Sequence, residues 1–338
     1  MTLRCRIVSS DYIDRDVLLN VWAFYAAAGC RLQSRGGADP DLLVVLRGDN
    51  GTAQRSFSGV VHIYDYVKEY RVDWAARYPA ARSIVLINLD ADPERPHDPR
   101  LRQVRAYLPV IPQLWARPAG RRRSRPVHVS NYKRMPGDAF QEQLLQLIQA
   151  GQVEVHGGRW ELVGVRARPL SYRDANRLIA SSASCFGLMW PYQRGTTLSG
   201  RMWQAPLNGC FVLSEVGTDP LGCPGVIELD RFDAASASRV FTPERCAQLA
   251  EEADRFWRQH TASLAEALGF DPAAQPSAAL LLRLRGVLLL WDLEFRLQRR
   301  QEGLASHLLA SRARLASVAR RLGVHPRQWR ERRRPPHQ

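Results

Sequence analysis

The chain has 338 residues, room for two domains, with 45% hydrophobic and 24% charged residues, which excludes a disordered or fibrous chain. Its net charge of +15 comes almost wholly from arginine, since Lys68 and Lys133 are the only lysines. Such a field favours anionic partners (nucleotides, nucleic acid or an acidic membrane surface), although a GC-rich genome produces the same bias. The six cysteines are scattered without a CxxC pair. Cys5, Cys185 and Cys210 lie in apolar runs and read as buried thiols, which suits a reducing cytoplasm. Met1–Ser10 lacks the long apolar core of a signal peptide. The most apolar window, Ala278–Leu293, is interrupted by Arg283 and Arg285 and is too short to span a bilayer.

The first third alternates strand and helix. Leu3–Val8 is a short apolar run. Asp16–Ala28 carries Val17, Leu18, Val21, Trp22, Phe24 and Tyr25 at helical spacing and stops at Gly29. Asp41–Leu46, Gly59–Tyr64 and Ser83–Leu89 are strands, with a helix around Val67–Tyr78. Continuous rather than alternating apolar strands between helices predict a parallel sheet covered on both faces. Pro109–Pro126, rich in Pro and Arg, reads as a linker whose arginines are solvated.

The α/β rhythm then repeats. Pro126–Ser130 is a strand and Asp138–Ala150 a helix, with Asp138 as N-cap and Gly151 as its stop. Val153–His156 is a strand. Ser171–Ser181 is a helix opened by Ser171 with Asp174 three residues on, close to a capping box. Cys185–Met189, a helix over Arg201–Asn208 and a strand over Cys210–Ser214 follow. After Pro224–Leu229 the pattern turns helical, over Pro243–Leu268, Ala278–Gln301 and Gly303–Leu322, before a basic tail at Arg330–Gln338. In Gly303–Arg321, Leu304, Leu308, Leu309, Leu315 and Val318 fall on one side and arginines on the other, fit for packing on the protein's own domains or for docking on anionic lipid. The expected fold is α/β: two Rossmann-like domains in a GT-B-like arrangement with C-terminal helices. The expected divisions are 1–118, a linker at 119–125, a second domain at 126–240 and a helical region at 241–338.

The most informative stretch is Gln193–Thr218, a polar Gly-rich turn, a short helix, a Gly stop and a buried strand. It puts a helix N-terminus beside the carboxyl ends of strands, where doubly wound domains bind phosphates. Ser199 can cap that helix. Gly195 and Gly200 admit close backbone approach. Arg194 and Arg201 suit a diphosphate. Thr196 and Thr197 lie in the same turn, and Gln204, one turn beyond Arg201, could bind ribose hydroxyls. An ordinary helix–strand unit with surface arginines would have the same spacing.

The pattern Ser-x-Arg-x-Trp-Gln-Ala-x-x-x-Gly-x-Phe-x-Leu-Ser-Glu over Ser199–Glu215 resembles the C-terminal domain of CgeB-like glycosyltransferases. More distantly it is similar to the Glu-Ala-x-x-x-Gly helix of retaining GT-B enzymes, in which two glutamates eight positions apart contact the donor. Here Thr196 and Gln204 hold those positions. The resemblance covers about residues 126–230. It implies a glycosyltransferase with a nucleotide-sugar donor, acting on an unidentified glycan, lipid or protein acceptor; no cofactor is expected, and no metal either, because no Asp-x-Asp follows a strand as in metal-dependent enzymes. It also implies that Lys133, in the loop after the first strand of the second domain, faces the donor diphosphate, with Ser130 and Asn131 as further donors. Tyr172 would then lie near the nucleotide base.

Asp11, Asp65 and Asp90 follow strands in the N-terminal half, and Asp65 could take a proton from an acceptor hydroxyl. An electrostatic mechanism at the leaving diphosphate, with Arg201, needs no such base. His62, inside a strand, reads as a packed core histidine. His97, His128 and His156 lack metal-ligand spacing, and Asp90-Ala91-Asp92 is the nearest approach to a metal motif. Two other classes stay open. The lost glutamates allow a non-catalytic binding protein on the same scaffold. The charge allows nucleic-acid binding, but no specific nucleic acid is expected without a recognition motif. A cytoplasmic protein, peripheral to the inner face of the membrane if it meets one, fits these features.

Overall fold

A computed structural model describes residues 2–9, 15–33, 39–46, 56–65, 72–89, 98–116 and 122–321, with side chains as far as Gln298 and at Gln301, Ser9 excepted. Asp11, Asp90 and His97, the start of the helix expected at Val67–Tyr78, and the basic tail lie outside the described residues, as do the side chains of Gly303–Arg321. The chain forms two compact units, Met1–Gly286 and Val287–Gln338.

Six parallel strands make the first sheet: β1 (Arg4–Ser9), β2 (Arg31–Leu32), β3 (Leu42–Leu46), β4 (Val60–Tyr64), β5 (Ser83–Asn88) and β6 (Leu101–Arg105), in the order β2-β1-β3-β4-β5-β6. β3 is buried along its whole length, as expected of a strand covered on both faces. Alternation sorts its neighbours. Leu43, Val45, Val61, Ile63, Ile84 and Leu86 form one face, against Trp74 of α2 (Trp74–Arg77) and Tyr78. His62 and Tyr64 point the other way, to Tyr25 of α1 (Arg15–Ala27), whose hydroxyl lies 2.8 Å from His62 Nδ1 and 3.1 Å from Tyr64 Oη. His62 is therefore the packed histidine its strand position predicts. β2 and β6 give no apolar signal because they are edges. Arg102, Gln103 and Arg105 of β6 are exposed, and charge on an edge strand discourages pairing with another chain.

Five parallel strands make the second sheet: β7 (Val127–Val129), β8 (Glu154–His156), β9 (Ser184–Gly187), β10 (Phe211–Glu215) and β11 (Val226–Leu229), in the order β11-β10-β9-β7-β8. Helices α4 (Ala139–Gln149) and α5 (Tyr172–Ala180) cover opposite faces. Leu144, Leu147 and Ile148 of α4 pack on Phe186 and Leu213. Leu178 and Ile179 of α5 pack on Cys185 and Val212, one residue earlier in the same strands. α6 (Arg201–Gln204) and α7 (Ala234–Ala237) are single turns. All six cysteines are buried and free. The fold is α/β with two Rossmann-like parallel sheets. Among the described residues no helix is long and apolar enough to cross a membrane.

The Pro-rich segment expected as a linker is anchored at both of its described ends. Val110, Ile111, Leu114 and Trp115 are buried, the last two in α3 (Pro112–Trp115). Asn20 Oδ1 of α1 accepts both the Ile111 amide (2.9 Å) and Trp115 Nε1 (2.8 Å). Further on, Arg122 donates to the carbonyls of Ser182 (3.1 Å) and Asn208 (2.7 Å), and Arg123 pairs with Glu154. Arg122 thus serves carbonyls where short helical segments end. Helix α8 (Pro243–Ala267) also belongs to the first unit and returns to the first half, where Thr261 Oγ1 donates to the Val110 carbonyl at 2.8 Å. The last helix, α9 (Ala278–Arg321), is 44 residues long.

Candidate functional site

In the second sheet the chain leaves β7 for the edge strand β8, then crosses back past β7 to β9. The connections after β7 and β9 therefore leave in opposite directions, the topology that in open parallel sheets places ligands outside the carboxyl ends of the two strands. Ser130–Lys133 follows one strand and Leu188–Trp190 the other. Exposed Lys133 sets its Nζ 5.6 Å from the centre of the Trp190 ring, and Trp190 stacks on Tyr192 at 5.9 Å and 25°. A cation over an aromatic face at this position offers a charge for phosphate and a flat apolar surface for a ring.

The wall behind this pair is built from charge. Glu215, at the end of β10, is fully buried and accepts the Met189 amide at 3.0 Å, Arg194 Nη2 at 3.2 Å and the Ser214 hydroxyl at 3.0 Å. The same Arg194 nitrogen donates to Asp138 at 2.6 Å, and its guanidinium lies 5.4 Å over Phe140. Asp138 meanwhile caps α4 by accepting the Gln141 amide at 2.9 Å. Burial pushes the Glu215 carboxyl above the ordinary carboxylate range, against the Met189 amide and Arg194, which pull it down. Arg194 thus pins the loop after β9 to β10 and to the start of α4. Its Nη2 therefore serves two buried carboxylates.

Gln204 and Tyr172 are bonded within the protein as well. Gln204 is 8% exposed, and its side-chain amide donates to the Asp16 carboxylate of α1 and to the Tyr172 hydroxyl. Tyr172 meets Trp115 edge-on at 5.8 Å, and Trp115 meets the fully buried Trp203 at 5.3 Å. The groups expected for ribose and base therefore join the two halves. Ser199 caps less well than its position suggests. The N-cap of α6 is Gly200, Ser199 Oγ is 3.4 Å from the Arg201 amide, and the helix is only four residues long. Its dipole is too short to carry an anion site. Arg201 is half-buried and close enough to His128 to act on its protonation. Gly195 takes φ 73°, the Thr196 hydroxyl donates to the Gln193 carbonyl at 3.2 Å, and Thr197 is buried. Asp65 stands half-buried at the carboxyl end of β4 in the first sheet, its amide on the Ile87 carbonyl at 3.0 Å. Among the described residues no three His, Cys, Asp or Glu gather as metal ligands.

His128 and His62 make a testable pair. Burial, with Arg201 adding to it, pushes His128 down to about 3, and its Nδ1 donates to the Phe186 carbonyl at 2.9 Å. Burial, with Arg102 adding to it, pushes His62 down to about 4. Both are neutral when folded and protonate near 6.5 when unfolded, so the unfolded chain binds more protons below that pH. Stability should be full above pH 6.5 and fall on acidification, by up to about 1.4 kcal/mol per pH unit for each histidine, down to roughly pH 4 for His62 and pH 3 for His128. Thermal midpoints from pH 7.5 to 4.5 measure this, and His62→Phe should flatten the profile. An equally steep profile in that variant would take the effect away from His62.

No protein-family model matches the sequence, and no sequence among the curated proteins does. Solved structures do resemble the chain in trace. AviGT4, a glycosyltransferase involved in avilamycin A biosynthesis, has a TM-score of 0.48 at 12% identity, covering 84% of this chain and 98% of its own. An α-glucosyltransferase in complex with UDP-glucose and DNA containing an abasic site has a TM-score of 0.45 at 11% identity, covering 86% and 100%. The β-glucosyltransferase of T4 phage has a TM-score of 0.44 at 10% identity, covering 88% and 98%.

Proposed function

We propose that the protein is a glycosyltransferase that takes a nucleotide-sugar at the carboxyl edge of its second sheet. The observation that carries this is the placement of Lys133 over Trp190 at the β7–β9 crossing, before a wall fixed by Arg194, Asp138 and Glu215. Together with the Ser199–Glu215 pattern, this supports a CgeB-like donor domain. Lys133 would hold the diphosphate, with Gly195, Thr196 and Thr197 in the loop beside it. Arg201 would add positive potential as the leaving group gains charge. Asp65 would serve as base in an inverting reaction. Catalysis of this kind works through Lys133 and Arg201 and asks for no metal. The acceptor is a glycan, lipid or protein. Six buried free thiols suit a cytoplasmic setting, and the net positive charge suits peripheral contact with an anionic membrane.

Calorimetric titration with UDP-, GDP- and TDP-sugars should find one binder. Lys133→Ala should weaken it about 10- to 100-fold, the loss of a charge-assisted contact of roughly 1.5–3 kcal/mol. If none of them binds, or the variant binds as well as the parent, this reading fails. A second reading, a non-catalytic nucleotide-sugar-binding protein, draws support from Gln204 and Tyr172, which are already bonded to Asp16 and to each other. Donor binding with neither sugar transfer nor hydrolysis would select it.

A further inference from the structure

Beside the donor site, toward the edge strand β8, the loops carry an unbalanced charge. Lys133 and Arg134 follow β7, Arg159 follows β8, Arg166 and Arg168 lead into α5, and Arg173 is in its first turn. Hydrogen bonds hold these loops together: the Tyr132 amide donates to the Gly158 carbonyl (2.9 Å), the Gly158 amide to the Asn131 side-chain Oδ1 (2.7 Å) and the Gly157 amide to the Arg168 carbonyl (3.0 Å). Five of the six cations are exposed, and Arg173 is half-buried. The nearby carboxylates are partly committed, Asp138 to Arg194 and Asp174 to Ser171 and Arg177, which leaves Glu142 and Glu161 against six cations. Among the described residues, none of the five arginines has a carboxylate within 4.0 Å.

An ordinary solvated face mixes both signs, because like charges repel. Here the excess is kept, and one member is held under strain. Arg159 has φ 69° and is the one non-glycine residue with positive φ among those described. A glycine would take that conformation freely, so the strain buys a guanidinium at this place. Lys133 links the arginines to the Trp190–Tyr192 stack, whose Tyr192 is 49% exposed. Arginines along a ledge that ends in an exposed aromatic platform match a chain of phosphates carrying flat bases. A lipid surface would call for inserted aliphatic groups, and Leu162 is the sole exposed large aliphatic on these loops.

We propose that this ledge binds single-stranded nucleic acid without sequence preference, with Arg134, Arg159, Arg166, Arg168 and Arg173 on successive phosphates and Tyr192 under a base. The proposal goes beyond the donor site and does not depend on sugar transfer. It is tested with the full chain and a fluorescent 20-nucleotide oligothymidylate, read by anisotropy over a salt series. Five phosphate contacts give a slope of log affinity against log salt of about −3.5. The exposed-site variant R159A/R166A/R168A should lose at least tenfold in affinity and bring the slope to about −1.4. Tyr192→Ala should lose about fivefold or more with the slope unchanged. The triple variant should keep the parent's thermal midpoint and nucleotide-sugar affinity, which separates failure here from failure of the donor reading. The single variant R166E, also at an exposed site, should weaken oligonucleotide binding in the same direction. Oligonucleotide binding by the triple variant equal to the parent's would overturn the proposal, since the affinity would then come from elsewhere in the +15 chain. Tighter binding, per phosphate, to phosphatidylglycerol vesicles than to the oligonucleotide would overturn it in favour of a membrane.

Discussion

Leucine in place of Arg194 is expected to cost about 3–5 kcal/mol of stability, the usual loss when one member of a buried ion pair is removed. The guanidinium stands between Asp138, with its side chain 4% exposed, and Glu215, at 0%. Leucine fills part of the volume but leaves two carboxylates facing each other without a counter-charge. Glu215 keeps the Met189 amide and Asp138 keeps the Gln141 amide, so the strand end and helix cap persist while the loop between them loses its pin. Urea unfolding measures the loss. Adding Glu215→Gln to the leucine variant should recover much of it, since the Gln oxygen still accepts from Met189 and one charge is gone. A leucine variant within about 1 kcal/mol of the parent, with donor affinity down tenfold, would instead place Arg194 on the ligand.

That contrast shows where the sequence can be read and where it cannot. The strands of both sheets are legible because wholly buried parallel strands leave continuous apolar runs, as in Leu42–Leu46 and Ser83–Asn88. Caps are legible too, since Asp138 and Ser171 act within three residues of themselves. β6 escaped because an edge strand needs no apolar pattern, and α3 because its prolines resemble a linker while its burial depends on α1, far away in sequence.

The candidate site was legible by position and not by partner. Lys133 is where its strand end puts it. Arg194, Gln204 and Tyr172 look like ligand groups because nothing local uses their donors, yet their partners lie 56, 188 and 32 residues away. One signal was available. Asp16 and Asn20 sit four apart on the apolar side of α1, and both are buried. Polar groups on such a face need partners from another element, and they find Gln204, Ile111 and Trp115.

Gly157→Ala should be the most damaging single methyl in the second half. A Cβ there would stand 1.9 Å from the Ser130 carbonyl oxygen and 2.9 Å from the Asn131 nitrogen, and the residue's φ of 145° is one that side chains rarely allow. The struck atoms are backbone, so no rotamer change relieves them. The Ser130 carbonyl also accepts Trp160 Nε1 at 2.7 Å, and Trp160 is a core residue at 4% exposure. Moving Ser130 therefore strains the turn and strips a buried donor, together about 3 kcal/mol or more. It also carries Asn131–Lys133 away from Trp190, so donor affinity should fall with stability. The neighbouring Gly158→Ala is the control. Its Cβ would meet Asn131 Oδ1 at an ordinary 3.4 Å with no positive φ to satisfy, and it should cost less than about 1 kcal/mol. Equal losses in the two variants, by urea unfolding followed through tryptophan fluorescence, would mean that the Gly157 contact does not set the β7 loop. A difference of the expected size would tie the position of Lys133 to one backbone contact between the loops after β7 and β8.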